Sequence, residues 1–448
     1  MDQPNILLVN PWIADFAAYD LWSKPLGLLY IGAFLRKYNY EISLLDFLDR
    51  QKWASNASGG RGKYIRTLIE KPAVLKTIPR NFALYGATEV QIREYITSLP
   101  RPSVILVTSF MNYWYVGVQK SVALLRSVFQ NVPIILGGIY ATLWKEHAHF
   151  AIDADYFVSG YGEKKVLKIL DTLHGMVRDD GLIPEFDDSL FPPYDLYENP
   201  EYLPLMTSRG CPMNCSFCAT NILNPGFYRR SLDNVLLEID TNYTKYGVTK
   251  YAFYDDALFV QKEKFIKPLL REIIKRPQPF EFYSPNGLFA REIDEELAQL
   301  MKMAGFKVVR LSLESVVSKW QESSSGKVSR EDFICAVRHL KEAGYKSREI
   351  EAYLIMGLPG QSFEDVRESL VFVYETGALS RLASFTPIPG TREWDRALEE
   401  GCMYEGIDPL LTNNSIYPCA SKILTVAQFQ ELKEMMIKFN EQIRNPEQ

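Results

Sequence analysis

Three thiols define the chemistry that this sequence can hold. Cys211-Pro-Met-Asn-Cys215-Ser-Phe-Cys218 places them at i, i+4 and i+7, directly after the apolar lead-in Leu203-Pro-Leu-Met-Thr-Ser-Arg-Gly210. Thiolates are soft ligands that suit zinc or iron–sulfur clusters. A structural zinc takes four closed ligands, usually in two separated pairs. Here three donors fall within eight residues and no second pair accompanies them. A 4Fe-4S cube held by three cysteines would keep one iron without a protein ligand, open to a substrate or cofactor. A zinc knuckle and a chance cluster of thiols are the competing readings.

The remaining reactive side chains offer less. The four histidines, His147, His149, His174 and His339, have neither metal-ligand nor triad spacing, which argues against a hydrolase. Cys402 and Cys419 read as structural thiols. The chain of 448 residues carries a net charge of −5 with both signs interspersed and no long basic run, so no nucleic-acid partner is expected. No apolar run approaches the ~18 residues of a membrane span, and the N-terminus lacks a signal-peptide pattern. Six cysteines, three of them clustered, do not make a disulfide framework in a chain this long. A reducing, cytoplasmic setting is expected.

Two sets of elements must position these groups. In the first, apolar runs at 6–9, 41–46, 103–109, 132–138 and 155–158 alternate with helical patterns near 25–35, 116–128 and 163–173. This predicts a doubly wound parallel sheet over 1–180, with ligands beyond the strand ends at Asn10, Thr108, Ser109, Gly137, Gly138 and Gly160-Tyr-Gly162-Glu163. Residues 48–100 fit no regular unit and read as an insertion; 181–202 read as a linker. In the second set, strands near 203–208, 250–255, 280–286, 307–314, 348–356 and 380–386 each precede a helix, with caps at Asp233 and Ser362. Six such units over 203–395 predict a partial (β/α)6 barrel, with chemistry at the strand ends. A small helical extension, 396–448, follows. Besides the cysteine loop, those ends carry Tyr254-Asp255-Asp256, Ser284-Pro-Asn286-Gly287, Arg310-Leu-Ser312-Leu-Glu314 and Met356-Gly-Leu-Pro-Gly-Gln361. Period-2 alternation puts Arg310, Ser312 and Glu314 on one face of their strand.

CxxxCxxC after a strand resembles the signature of radical S-adenosylmethionine (radical SAM) enzymes. A doubly wound domain upstream of it resembles their cobalamin-binding class (B12-binding, class B methyltransferase-like). Lys24-Pro-Leu26-Gly27, Gly137-Gly138-Ile-Tyr140-Ala141 and Gly160-Tyr-Gly162-Glu163 match that class. The resemblance implies an α/β chain with a Rossmann-like cobalamin-binding domain and a radical SAM barrel. It implies a 4Fe-4S cluster on Cys211, Cys215 and Cys218 that reductively cleaves S-adenosylmethionine to a 5′-deoxyadenosyl radical. It assigns S-adenosylmethionine to Phe217, Asp255, Asp256, Ser284, Ser312, Glu314, Arg330 and Met356. It assigns cobalamin to Asn10, Leu26, Gly27, Thr108, Ser109, Gly137, Gly138, Tyr140, Gly160, Gly162 and Glu163. Tyr254 and Asn286 are candidate catalytic residues. The implied activity is a methyltransferase acting on an unactivated carbon through methylcobalamin, served by a flavodoxin- or ferredoxin-like electron donor. A rearrangement or cyclisation within the same class, and a non-catalytic corrinoid- or redox-sensing protein, are the alternatives. The Asp-x-His-x-x-Gly motif that supplies an axial histidine to cobalt in other corrinoid proteins is absent.

Overall fold

Five short runs build the first sheet of the computed structural model: β1 (Asn5–Asn10), β2 (Glu41–Asp46), β3 (Val104–Val107), β4 (Ile134–Leu136) and β5 (Tyr156–Phe157). β1 and β3 are buried almost throughout. Strands covered on both faces read as unbroken apolar runs, which is why they were legible without alternation. Every pairing is parallel and the order is β5-β4-β3-β1-β2. The winding direction reverses between β1 and β3, so a crevice opens beyond Asn10 and Val107. Helices Leu26–Arg36, Tyr115–Val128 and Glu163–His174 complete the units. The structure describes residues 4–54, 60–176, 190–323 and 325–445.

Residues 48–100 carry more structure than their sequence pattern implies; 55–59 lie outside the described residues. Strand Ala83–Tyr85 pairs antiparallel with Ile13–Asp15 and with Arg66–Leu68, while Arg61–Lys63 pairs with Tyr19–Leu21. Two of these three partners lie just after β1, so no reading confined to 48–100 could find them. Ile13, Leu48, Tyr64, Ala83 and Tyr85 give the segment its own small core. Helix Glu89–Ser98 follows, opened by a capping box of Thr88 and Gln91.

The second set of strands is β6 (Leu203–Leu205), β7 (Lys250–Phe253), β8 (Glu281–Tyr283), β9 (Val309–Glu314), β10 (Ile350–Met356) and β11 (Leu379–Ser384). They form two parallel ladders, β6-β7-β8 and β9-β10-β11, the latter edged by the short strand Leu288–Phe289. The ladders meet where Phe282 N–H donates to Gly305 O at 3.1 Å and Lys307 N–H donates to Phe282 O at 3.1 Å. Tyr251, Phe253, Phe282 and Phe306 fill this seam with ring centroids 5.4–6.0 Å apart. Helices Leu232–Tyr246, Ile266–Ile274, Glu295–Ala304, Arg330–Glu342, Phe363–Thr376 and Arg392–Glu399 alternate with the strands. Ser231, not Asp233, caps the first of these, because its hydroxyl accepts from Asn234 N–H; Asp233 sits inside the first turn. Ser362 caps as expected, in a box with Asp365.

The chain divides into two compact units, Met1–Glu201 with Asp408–Leu411, and Tyr202–Ile407 with Thr412–Gln448. Of the expected linker, 181–189 lie outside the described residues. Residues 190–201 pack into the first unit: Tyr194 is buried and the Tyr197 hydroxyl donates to Asp46 at 2.7 Å. In the second unit, helix Val426–Arg444 covers β11. Asn440 accepts from Ser380 N–H at 2.8 Å and donates to Ser380 O at 2.9 Å, so its amide satisfies an otherwise open strand edge. Among the described residues no helix is long and apolar enough to cross a membrane.

Candidate active site

The three thiols occupy the loop that closes a hairpin. The first strand ends at Leu205, earlier than its apolar run implies, and Ser208–Gly210 then pairs antiparallel with Phe227–Arg229. Gly210 has φ +79°, and a Cβ there would land on the carbonyl oxygen of Gly226. Only glycine fits this entry to the loop. All three cysteines are free; Cys211 and Cys215 are half-buried and Cys218 is exposed. Burial pushes the Cys211 thiol up to about 11 and raises that of Cys215. Ligands of this kind bind with loss of their protons. Thr220 N–H donates to Cys218 Sγ at 3.5 Å. Among the described residues no three His, Cys, Asp or Glu side chains converge as a single ion requires. Soft donors in one half-open loop fit a multi-iron cluster better than one closed ion.

Helix Arg392–Glu399, beyond the last strand, grips this loop. Ser216 Oγ donates to Glu393 Oε1 at 2.6 Å, Glu393 N–H donates to Ser216 O at 3.1 Å, and Arg392 donates to Asn214 O at 2.7 Å. Glu393 was not singled out from sequence, since its partner lies 177 positions away.

Two adjacent acids after β7 take opposite roles. Asp255 is 3% exposed and accepts from Thr207 N–H (3.0 Å), Thr207 Oγ1 (2.6 Å) and Ser208 Oγ (2.6 Å). Arg229 lies 3.5 Å away. These bonds tie the hairpin to β7. Asp256 is half-buried, and burial together with the neighbouring Asp255 pushes its carboxyl up to about 6. It also lies close enough to Cys211 to raise that thiol. A cation beside Asp256 would relieve this cost. Asn286 donates to the carbonyls of Tyr254 (3.3 Å) and Asp255 (3.0 Å), which ties the turn after β8 to the turn after β7. Ser284 Oγ donates to Asn286 O at 2.8 Å within its own turn.

On β9 the alternation breaks. A bulge lies between Ser312 and Glu314, and Glu314 adopts φ +65°, a left-handed conformation costly for a side-chain-bearing residue. Ser312 Oγ donates to Leu288 O at 3.2 Å. Arg310 pairs with Glu351 at 2.9 Å and donates to Ser284 O at 3.0 Å, and Glu351 also pairs with Arg381 at 2.7 Å. Glu314 instead meets Lys327, 2.8 Å away and 8% exposed. Burial opposes the Lys327 charge, but Glu314, Cys215 and Cys218 outweigh it and the ammonium is held above its ordinary value. Its Nζ lies 6.0 Å from the Phe217 ring centroid. Lys327 was not singled out from sequence, where Arg330 was a candidate for the ligand carboxylate. Arg330 opens the following helix, ion-pairs with Glu368 and donates to Val316 O. Its guanidinium is engaged there, and Lys327 is the buried cation beside the cysteine loop. Met356 is fully buried, its carbonyl accepts from Phe385 N–H, and Gln361 Oε1 accepts from Gly357 and Leu358 N–H.

The strand ends of the first unit divide in the same way. Asn10 donates to Asp46 at 2.7 Å. Ser109 Oγ donates to Gly137 O at 2.7 Å, and a Cβ on Gly138 would strike Ser109. The buried Tyr140 hydroxyl bonds His147 Nδ1 at 2.6 Å, and a Cβ on Gly162 would strike Ile31. These residues are occupied in holding the sheet together. Gly27, Gly137 and Gly160 differ: a Cβ there would meet nothing closer than 3.6 Å. Gly27 faces open space, and Gly137 and Gly160 would take a Cβ with only ordinary contacts. Leu26 is buried, Thr108 is half-buried, and Glu163 is buried at the start of its helix.

Residues 205–373 match the Radical SAM superfamily. An uncharacterized methyltransferase of Pyrococcus horikoshii is 25% identical over 69% of this chain and 74% of its own length. The cytidylyl-2-hydroxyethylphosphonate methyltransferase of Streptomyces wedmorensis is 24% identical over 97% of this chain and 89% of its own. Among solved structures, the radical SAM methyltransferase TsrM of Kitasatospora setae, with tryptophan and a SAM analogue bound, has a TM-score of 0.66 at 18% identity. It aligns over 89% of this chain and 76% of its own. The cobalamin-dependent radical SAM enzyme OxsB has a TM-score of 0.56 at 14% identity, over 98% and 56%. Residues 205–373, with three free thiols in the loop that follows the first barrel strand, match a radical SAM domain. With a five-stranded parallel sheet ahead of that domain, the chain has the fold of solved cobalamin-dependent radical SAM enzymes.

Proposed function

We propose that this chain is a cobalamin-dependent radical SAM methyltransferase that adds a methyl group to an unactivated carbon of its substrate. The observation that carries the reading is the grouping of three free thiols, an underpaired carboxylate at Asp256 and a buried ammonium at Lys327 around one loop of the second unit. When bound, the cluster supplies the electron that cleaves S-adenosylmethionine, and cobalamin supplies the methyl carrier. The protein's part is to hold and orient. Cys211, Cys215 and Cys218 supply the thiolates. Asp256 accepts the ammonium of S-adenosylmethionine, and its charged form is stabilised as that contact forms. Glu314 and Lys327 present a carboxylate and an ammonium already desolvated, so neither must shed water as the ligand enters. Asp255, Asn286 and Arg310 are positioning residues that lock neighbouring strand ends. Gly27, Gly137 and Gly160 leave room for a corrin in the first unit. A flavodoxin- or ferredoxin-like protein supplies the electrons. The reading is tested by anaerobic turnover of reconstituted protein with methyl-labelled S-adenosylmethionine in a cell extract. A single small molecule gaining the label at carbon is expected, and formation of 5′-deoxyadenosine with no labelled product would refute methyl transfer.

A further inference from the structure

Burying a carboxylate is costly unless its surroundings answer the charge. Glu393, the second residue of helix Arg392–Glu399, is 1% exposed, and two side chains answer it. Ser216 Oγ donates to Glu393 Oε1 at 2.6 Å. Arg396, one turn along the helix, donates to Oε1 at 3.2 Å and to Oε2 at 3.1 Å. The backbone adds a third link. Glu393 N–H, one of the open donors at the start of its helix, donates to Ser216 O at 3.1 Å. One residue therefore holds both the hydroxyl and the carbonyl of Ser216, which is buried directly after Cys215 and two positions before Cys218.

The clamp is braced from behind. Thr391 caps the helix, its hydroxyl accepting from Trp394 N–H at 3.2 Å. Arg396 also donates to Pro359 O at 3.0 Å, in the turn after β10, and lies 5.2 Å from the Trp320 ring centroid. Arg392 donates to Asn214 O at 2.7 Å, so the cysteine loop has an anchor that does not use the Glu393 carboxylate. Position and charge are thus separable. The charges of the pair are unequally shielded, because the Arg396 side chain is 37% exposed. Water screens the guanidinium and hardly reaches the carboxylate, which leaves a net negative field at Ser216. Lys327, the buried ammonium beside the same loop, acts in the opposite sense.

We propose that Glu393 is a positioning residue that fixes the loop between two cluster ligands and also lowers the reduction potential of the cluster. An electron added there would lie beside a poorly screened carboxylate, and net charge and hydrogen bonding around a cluster set its potential. Arg396 limits the effect by neutralising part of that charge. The inference rests on the reading that Cys211, Cys215 and Cys218 hold the cluster.

The test is an anaerobic redox titration at pH 8 of full-length, cluster-reconstituted protein without S-adenosylmethionine, followed by the electron paramagnetic resonance signal of the reduced cluster. Iron per chain is measured alongside. Glu393→Gln should keep the wild-type iron content and shift the midpoint potential to a more positive value. Arg396→Gln, which leaves the carboxylate and its clamp on Ser216 in place, should shift it to a more negative value. A purely structural role would change iron content and leave the midpoint of the intact cluster where it was. Either variant at full iron with the wild-type midpoint, or both shifting in the same direction, overturns the proposal. If Glu393→Gln loses its iron, the Arg396→Gln midpoint decides alone. A wild type that takes up no cluster would remove the reading and this inference together, whereas unmoved midpoints in a loaded protein would remove this inference only.

Discussion

At the scale of single residues, neighbours in sequence part company according to what already binds them. Asp255 and Asp256 are indistinguishable as a pair of acids, yet only Asp255 is saturated with donors. An Asp256→Asn variant should bind S-adenosylmethionine about 10- to 100-fold more weakly, an ion pair's worth of about 1.4–2.8 kcal/mol. Calorimetric titration would read this, and in the wild type the affinity should rise with pH through about 6, where the carboxylate forms. The stability of the unloaded protein should move the other way. The folded value of about 6 lies above the ordinary 3.8, so Asp256 contributes stability that is full below about 4 and lost as pH rises through 6. Asp256→Asn should therefore stabilise the unloaded protein at pH 7 by on the order of 2 kcal/mol, read by denaturant unfolding. Arg330 and Lys327 show the same limit of sequence reading. Which of two nearby cations turns inward depends on the bulge at Glu314, and no local pattern records it. Arg330→Ala should leave the dissociation constant for S-adenosylmethionine within about twofold. Glu314→Gln should cost about 3 kcal/mol by leaving a buried ammonium unpaired, while adding Lys327→Met should recover most of that loss. Additive losses in the double variant would refute the pairing.

At the scale of elements, nearly every strand and helix of the second unit was legible, because apolar runs, caps and closing glycines agree with one another there. What stayed hidden is how the strand ends are locked. Polar contacts run almost continuously between neighbours: Asp255 joins β7 to the hairpin after β6, Asn286 joins the turns after β7 and β8, and Arg310 joins β9 to the turn after β8. Glu351 continues this to β11, and Glu393 returns it to the cysteine loop. Each link spans tens of positions, so residue type alone could not assign it. The small sheets of 48–100 were missed for a related reason, since two of their partner strands precede β2. One hinge of the cysteine loop is testable by itself. Gly210→Ala should drive a Cβ into the Gly226 carbonyl at a left-handed backbone position. Reconstituted protein should then hold well under half the wild-type iron. Gly401, also left-handed (φ +71°) but with nothing within 4 Å, is the control, and Gly401→Ala should keep full iron.

At the scale of the whole molecule, two architectures were foreseeable because their periods differ little from ideal ones. Parallel strands buried on both faces announce themselves as short apolar runs, and regular strand–helix repeats announce a barrel. The boundary between the units was less legible. Tyr194 and Tyr197 belong to the first unit's packing, and Asp408–Leu411 rejoin it from far along the chain, where composition gives no sign. The central claim is that the three cysteines of one loop hold the cluster that cleaves S-adenosylmethionine. It is tested most directly by quantifying 5′-deoxyadenosine after anaerobic reconstitution, reduction and addition of S-adenosylmethionine, with wild type and Cys215→Ala compared at matched concentration. Steady formation by the wild type and none above background by the variant is expected; equal formation by both, or none by a wild type carrying four irons per chain, would refute cleavage at this cluster.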